Sequence, residues 1–276
     1  MKLITLRELT GKSFHFDLAI AFNTDLRIEL RTQFFTQKAL ALAALSRGRQ
    51  FHFKIGKSDI LVNSISDLGT LQSCIVDFHD ELLSPRMLGE APVLIDVGAN
   101  IGQWTSSAKL FIPNAKILAV EPDPETFSTL AKNIGGFEEV ECVNCAAGAS
   151  PGSALLYRQE LSIMSTTNPS EDDTLNNPVE VRVRCLDELT VDYSEIDLLK
   201  VDVEGSEMEV LSGAETTLSK SSLLLVELSL ARGNTNAIDL LAKLKCMQPK
   251  SRIVKFGRPL GLPSEPYCQD VLIALR

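Results

Sequence analysis

A short apolar run followed by a glycine-rich turn is the feature that most constrains this chain. Residues 93–97 read Val-Leu-Ile-Asp-Val, and Gly98, Asn100 and Gly102 follow at alternate positions before a helical stretch begins at Gln103. Glycine adopts positive φ freely, and asparagine is one of the few other residues that can, so these positions suit a tight strand-to-helix turn. Such a turn opens the nucleotide-binding crossover of an α/β sheet.

The spacing of this turn separates the classes of nucleotide site. A dinucleotide fold expects G-x-G-x-x-G, but here the pattern is D-x-G-x-N-x-G from Asp96, and Gln103 occupies the place of the third glycine. No Lys-Ser/Thr pair follows, which excludes a P-loop. The pattern resembles motif I of methyltransferases that use S-adenosyl-L-methionine (SAM). A tight turn in an unrelated α/β protein is the alternative.

Length, charge and cysteine usage narrow the class of protein. The 276 residues suffice for one large α/β domain and a smaller appendage, and the net charge of −9 argues against a nucleic-acid partner. Arg7 and Glu8 interrupt the first apolar residues, so we predict no signal peptide, and we find no uncharged apolar run near the ~20 residues that span a bilayer. The six cysteines lack paired zinc-site spacing, so we expect reduced thiols, no metal site and a cytoplasmic protein.

The chain divides into two regions of different pattern. Residues 1–90 predict a mixed α/β cap with a helix over 27–45, a hairpin of 51–55 with 59–62, and a helix over 68–83 that Ser84-Pro85 ends. Residues 91–276 alternate strands and helices, which favours a parallel sheet covered on both faces. The predicted strands are 93–97, 116–121, 140–145, 198–203, 223–227, 252–256 and 271–275, and the predicted helices are 102–111, 124–134, 206–218 and 236–245.

Two connections in the second region stand out. Only the loop 257–270 joins the last two strands, which predicts an antiparallel hairpin at the end of the sheet. Between the third and fourth strands, 154–157 and 179–184 could pair as a small hairpin around the polar segment 158–178. A loop of that length is either a binding lid or a disordered tether.

Polar residues at the ends of the second and third strands suit a nucleoside. Ligands of open α/β sheets bind at the carboxyl ends of the strands. Glu121 follows Gly102 by 19 residues, where a carboxylate can accept both hydroxyl hydrogens of a ribose. NAD and SAM share that requirement. The small residues among Asn144, Ala146 and Ala147 would let an adenine ring lie against the backbone.

Acidic residues follow the fourth strand. Asp202 and Glu204 end a buried run, where a carboxylate needs a ligand, a hydrogen-bond donor or water. For Glu204 and Glu207, favourable interaction with the dipole of the next helix is the alternative explanation. With Glu227, Asp202 and Glu204 could instead hold Mg²⁺, which prefers carboxylate oxygens.

At these residues the chain resembles a known family. Residues 201–207, Val-Asp-Val-Glu-Gly-Ser-Glu, followed by Leu211-Ser212-Gly213-Ala214, are similar to the D-[IV]-E-G-x-E…L-x-G-A signature of FkbM-type methyltransferases. The resemblance covers roughly residues 92–230 and leaves the N-terminal third unmatched, so we expect that third to influence substrate choice. The other motifs that match in order are 96–102, 121–124, Phe127 with Leu130 and Asn133, Asn144 with Ala146 and Gly148, and 186–189.

The resemblance implies a fold, a reaction and a set of site residues. The fold is the class I methyltransferase (Rossmann-like) α/β fold, a seven-stranded, mostly parallel sheet with an antiparallel last strand. The reaction is SAM-dependent methylation, usually of a hydroxyl on a sugar, a glycan or a small natural product. By likeness, Asp202 lies near the sulfonium or the acceptor, and Glu121 holds the ribose. The predicted cofactor-binding residues are Asp96, Gly98, Asn100, Gly102, Glu121, Pro122, Asn144, Ala146 and Ala147.

A hydroxyl acceptor benefits from a general base. His15, His52 and His79 all precede the sheet region, so we take Asp202 as the first candidate for the base, Glu204 as the second, and His79 only if the cap folds over the site. Two other classes remain open. The first is an NAD-dependent oxidoreductase, against which the missing third glycine and the absence of a Tyr-x-x-x-Lys pair count. The second is a non-catalytic SAM-fold binding subunit, which would use the same turn.

Overall fold

The computed structural model describes residues 17–22, 26–78, 82–158, 178–229, 237–262 and 265–276, with the backbone alone at 229, 258–262 and 265–268. The first sixteen residues, His79, segment 159–177 and Asn236 lie outside this part of the chain. Residues 17–21 are helical. The further helices are α1 (Ile28–Leu45), α2 (Ile65–Val76), α3 (Pro85–Leu88), α4 (Gln103–Phe111), α5 (Pro124–Ile134), α6 (Leu186–Leu189), α7 (Glu207–Ser212), α8 (Glu215–Lys220) and α9 (Ala237–Met247). The strands are β1 (Phe51–Ile55), β2 (Ser58–Val62), β3 (Val93–Val97), β4 (Lys116–Val120), β5 (Val140–Val143), β6 (Ala146–Ala147), β7 (Gly152–Leu156), β8 (Val179–Arg184), β9 (Ile196–Val201), β10 (Ser221–Ser229), β11 (Arg252–Leu262) and β12 (Glu265–Ala274).

Seven strands form the central sheet in the order β11-β12-β10-β9-β3-β4-β5. Strands β3, β4, β5, β9 and β10 pair in parallel, whereas β12 is antiparallel to both of its neighbours. The chain leaves β3 first towards β4 and later towards β9, so the switch point of the sheet lies beside β3. This is the class I methyltransferase arrangement, and the fold prediction is confirmed. A crevice for a ligand is expected at the carboxyl ends of β3 and its neighbours.

The helix predicted over 206–218 is two helices, α7 and α8, which break at Gly213. A Cβ on Gly213 would lie 2.1 Å from the carbonyl oxygen of Gly148, so the backbone passes there too closely for any side chain. The carboxylate of Asp187 then accepts two backbone N–H groups in the first turn of α8, at 2.8 and 3.1 Å. Tertiary contact therefore ends one helix and caps the next, which periodicity alone does not reveal.

Several other bounds differ from the sequence prediction. The strand predicted over 140–145 ends at Val143, because Ala146-Ala147 pairs with β8 in a separate three-stranded sheet. The predicted hairpin of β7 and β8 is present and antiparallel. The loop predicted over 257–270 is mostly strand, since β11 and β12 extend through it with register shifts that accommodate its glycine and proline residues.

The N-terminal region packs directly on the sheet domain. The helix predicted over 68–83 starts earlier, at a capping box of Ser64 and Asp67, and ends at Val76. Phe34 and Phe53 lead an apolar cluster of this region, which reaches Leu110 in α4. The residues after α2 join a second cluster beneath the sheet, with Phe78, Leu82, Leu94 and Trp104 among its members. None of the helices in the described ranges has the length and apolar character that crossing a membrane requires.

Candidate active site

The turn after β3, residues 98–102 (the glycine turn), requires the residues that the sequence places there. Gly98, Asn100 and Gly102 have φ of 81°, 50° and 89°. A Cβ on Gly98 would lie 1.8 Å from the carbonyl oxygen of Asp202, so the loop after β9 rests directly on this turn. The backbone N–H groups of Gly98 and Ala99 both donate to one carbonyl at the end of β4. The turn is therefore fixed against the two strands that flank the crevice.

Glu121 directly follows the carboxyl end of β4, and both of its carboxylate oxygens accept hydrogen bonds. Oε2 accepts the backbone N–H of Asn100, and Oε1 accepts that of Asp123, each at 2.9 Å. Only 8% of the residue is exposed. Burial raises the pKa of Glu121 to about 7, although the two N–H groups act in the opposite direction. The carboxylate thus joins the glycine turn to the start of α5.

The predicted residues after β5 support this corner of the crevice. Asn144 donates from Nδ2 to the carbonyls of Glu121 and Pro122, at 2.8 and 2.9 Å. It therefore holds the Glu121-Pro122 loop against the end of β5. Ala146 is buried and Ala147 half-buried, and both lie in β6 beside β8.

Lys200, which the sequence analysis did not identify, links two of the predicted acids. Its Nζ lies 3.1 Å from Oδ1 of Asp96 and 3.2 Å from Oδ2 of Asp202. Burial lowers the pKa of Lys200, but the charges of Asp202 and Asp96 outweigh it and raise the pKa above the ordinary lysine value. Asp96 is fully buried and also accepts the hydroxyl of Thr105 at 2.7 Å, whereas 38% of the Asp202 side chain is exposed. Lys200 and Asp202 share one face of the sheet because side chains two apart in a strand point the same way.

The strand register places a row of acids at the edge of the crevice. Val226 pairs with Val201 on one side and with Val271 on the other, so Asp202, Glu227 and Asp270 form the next row. Carboxylate oxygens of Asp202, Glu204 and Glu227 lie within 4.8 Å of one another, and we name these three residues the acid cluster. Asp202 and Glu204 follow β9 and Glu227 lies in the neighbouring β10, so the structure brings together the three carboxylates of the Mg²⁺ alternative.

Asp270 is the second residue that sequence reasoning missed. It is paired with Glu227, and burial followed by the charge of Asp202 raises its pKa to about 7, while Lys200 acts in the opposite direction. The rule that functional residues follow the strands fails here because β12 runs antiparallel. The middle of β12, rather than its end, therefore reaches the crevice.

The candidate bases Asp202 and Glu204 lie apart from Glu207 and from the described histidine His52. Asp202 and Glu204 lie at the crevice, and Glu204 has a positive φ of 53°. Glu207 is instead buried at the start of α7, where its Oε1 accepts the N–H of Gly205 at 3.0 Å. His52 is on the β1–β2 hairpin and contacts Asp59 at 2.9 Å. His79 lies outside the described residues.

The crevice has features that fit a nucleoside cofactor. Two buried polar atoms beside the glycine turn, Oδ1 of Asn100 and Nε2 of Gln103, have no hydrogen-bond partner among the residues that the structure describes. Gly98 presents backbone without a side chain, and Glu121 presents a carboxylate at the position predicted for the ribose. The residues present therefore fit SAM, whose polar groups could satisfy these atoms.

The fold and the arrangement of the crevice define a methyltransferase of class I. The family model of the methyltransferase FkbM domain matches residues 96–247, more than half of the chain. The chain belongs to this family.

Curated relatives carry methyltransferase names. "Methyltransferase sdnD" of Sordaria araneosa is 31% identical over 171 residues, 50% of this chain and 66% of the relative. "Hexuronic acid methyltransferase AglP" of Haloferax volcanii is 28% identical over 182 residues, 61% of this chain and 68% of the relative. "2-O-methyltransferase NoeI" of Sinorhizobium fredii is 27% identical over 157 residues, 50% of this chain and 63% of the relative. The chain thus spans about two thirds of the length of the relatives it matches.

Proposed function

We propose that this protein transfers a methyl group from SAM to a hydroxyl oxygen of a sugar, a glycan or a small natural product. The observation that carries the proposal is the buried Glu121 carboxylate, which the N–H of Asn100 holds beside the glycine turn at 2.9 Å. The names of two relatives, a hexuronic acid methyltransferase and a 2-O-methyltransferase, favour a sugar hydroxyl as the acceptor. We further propose a cytoplasmic enzyme without a nucleic-acid partner.

Each part of the crevice has a proposed role in holding SAM. The glycine turn would contact the methionine portion, and Asp96 would support it from beneath, because its carboxylate is committed to Lys200 and Thr105. Glu121 would accept the ribose hydroxyls on the lone pairs that the two backbone N–H groups leave. Asn144 would keep the Glu121-Pro122 loop in place, and Ala146-Ala147 would border the adenine.

The remaining task of the chain is to position the acceptor and remove its proton. When bound, SAM supplies an electrophilic methyl group and a neutral thioether leaving group. Asp202 is the proposed base, because Lys200 fixes its orientation through Oδ2 while its partly exposed side chain faces the crevice. Glu204 is the second candidate, and it adjoins Asp202 within the acid cluster.

Binding and turnover separate the three candidate functions. We expect isothermal titration to show binding of SAM and of S-adenosylhomocysteine but not of NAD, and binding of NAD alone would support an oxidoreductase instead. We then expect transfer of labelled methyl from SAM to at least one member of a panel of sugars, glycans and hydroxylated metabolites. Cofactor binding without transfer to any acceptor would favour the non-catalytic subunit.

The base role of Asp202 has its own test. With an accepted substrate, Asp202→Asn should lose most of the turnover, because general-base catalysis contributes about 10²- to 10⁴-fold, while S-adenosylhomocysteine still binds. Glu195→Gln is the matched control, since this exposed acid immediately precedes β9 at the opposite edge of the sheet. Near-wild-type turnover by Asp202→Asn would refute the base role of Asp202 and leave Glu204 as the candidate base.

A further inference from the structure

The side chain of Asn133 connects the N-terminal hairpin to the glycine turn. This residue lies in the last turn of α5 and is 5% exposed. Its Oδ1 accepts the backbone N–H of Leu61 at 2.8 Å, and its Nδ2 donates to the carbonyl of Leu61 at 3.3 Å and to that of Ile101 at 2.7 Å. One amide group therefore binds strand β2 and the glycine turn together, although 72 residues separate Asn133 from Leu61.

Asn133 supplies hydrogen bonds to Leu61 on β2, a strand of the two-stranded hairpin. In the part of the chain that the structure describes, β2 pairs with β1 alone. A side-chain amide carries the same donor and acceptor as a peptide group, so Asn133 satisfies both the N–H and the C=O of Leu61 as a neighbouring strand would. Without it, two partly buried backbone groups lose their partners, which opposes docking of the hairpin.

The third bond holds the centre of the glycine turn. Ile101 lies between Asn100 and Gly102, two of the three positions of the turn that have positive φ. A Cβ on Gly102 would lie 2.9 Å from Leu130 and 3.0 Å from Ile134, so α5 also presses directly on the turn. The orientation of the peptide after Ile101 thus depends on α5, and Asn100 next to it donates its N–H to Glu121.

We infer that Asn133 is a positioning residue that makes cofactor binding at the glycine turn depend on the docked β1–β2 hairpin. The inference rests on the proposed function, because it assumes that the turn binds SAM. It gives the N-terminal region a role beyond contact with the acceptor. Coupling between two sites is reciprocal. If docking of the hairpin raises the affinity for the cofactor by some factor, cofactor binding must favour the docked hairpin by the same factor.

The first test compares cofactor affinity in stability-matched variants. Asn133→Ala should raise the Kd for S-adenosylhomocysteine, measured by titration calorimetry, by about 5- to 150-fold, the usual range of coupling between sites. Asn133→Asp, which keeps the shape and the acceptor but removes both donors, should weaken binding as well. Leu218→Val is the control, because Leu218 is a buried residue of α8. The substitution should loosen the core close to the end of the sheet opposite the crevice. It should lower Tm and leave Kd within twofold of the wild type.

Two results would overturn the inference: wild-type affinity in a folded Asn133→Ala, or an equal loss of affinity in Leu218→Val.

The second test uses the wild type and needs no folded variant. Saturating S-adenosylhomocysteine should slow hydrogen exchange in residues 58–62 but leave the outer strand segment 252–256 unchanged, and unchanged exchange in 58–62 also overturns it. If the wild type binds no S-adenosylhomocysteine at all, the proposed function fails, whereas binding without coupling removes only this inference.

Discussion

We expect the buried carboxylate of Glu121 to make stability and cofactor binding depend on pH in opposite directions. Its pKa is about 7 in the folded chain, against an ordinary value of 4.5. The folded state therefore holds this proton more tightly than the unfolded chain does. The contribution to stability is complete below pH 4.5, falls as pH rises to 7 and is constant above that, which amounts to about 2.5 kcal/mol between pH 5 and pH 8.

Glu121→Gln removes this titration without changing the size of the side chain. It also places an amide donor against one of the two backbone N–H groups that the carboxylate accepts, which costs about 1–3 kcal/mol at every pH. The variant should therefore be less stable than the wild type at pH 5, and the gap should shrink or reverse at pH 8.

Urea denaturation at both pH values measures the free energy of unfolding of each protein. The free energy of unfolding of the wild type minus that of the variant should change by about 2.5 kcal/mol between pH 5 and pH 8. This change does not depend on the cost of the lost hydrogen bond. A difference that is the same at both pH values would refute the assignment of a raised pKa to Glu121. Glu125→Gln, a change of an exposed acid four residues away, is the control and should show no such change.

The same variant tests the proposed contact with ribose. A carboxylate binds two hydroxyl donors through charge-assisted hydrogen bonds worth about 1.5–3 kcal/mol each, so Glu121→Gln should weaken SAM binding at least tenfold at pH 8. In the wild type, the Kd should rise as pH falls below about 7, because the protonated carboxyl loses an acceptor. A variant that binds SAM as tightly as the wild type would contradict the ribose role.

Three further perturbations test other parts of the site. Lys200→Met should destabilise the fold by about 3–5 kcal/mol, because Asp96 remains fully buried without a cation, whereas the exposed Lys116→Met should change the denaturation midpoint little. Gly98→Ala should abolish cofactor binding, since its Cβ would lie 1.8 Å from a backbone carbonyl, but Gly48→Ala, with open space and φ of 67°, should cost only about 1–2 kcal/mol and bind normally. Excess EDTA should leave methyl transfer unchanged if the acid cluster works without a metal, and loss of activity that Mg²⁺ restores would establish the metal-assisted alternative.

The sequence alone determined the architecture and the position of the crevice. Apolar runs and punctuating glycines are local signals, so β3 and α5 have the predicted bounds. The glycine turn needed positive φ at Gly98, Asn100 and Gly102, and only residues that tolerate this conformation occupy those positions. Glu121 and Asp202 were predictable because parallel strands bring their carboxyl ends to one edge.

Tertiary structure decided which groups meet at that edge. In the sequence, Lys200 is a single charged residue within an apolar strand. In the folded sheet it lies between Asp96 and Asp202. Asp270 reaches the crevice only because β12 inserts antiparallel beside β10. Asn133 joins Leu61 to the turn across a long stretch of sequence. Such contacts depend on strand order and register, which are long-range properties that no local pattern of residues encodes.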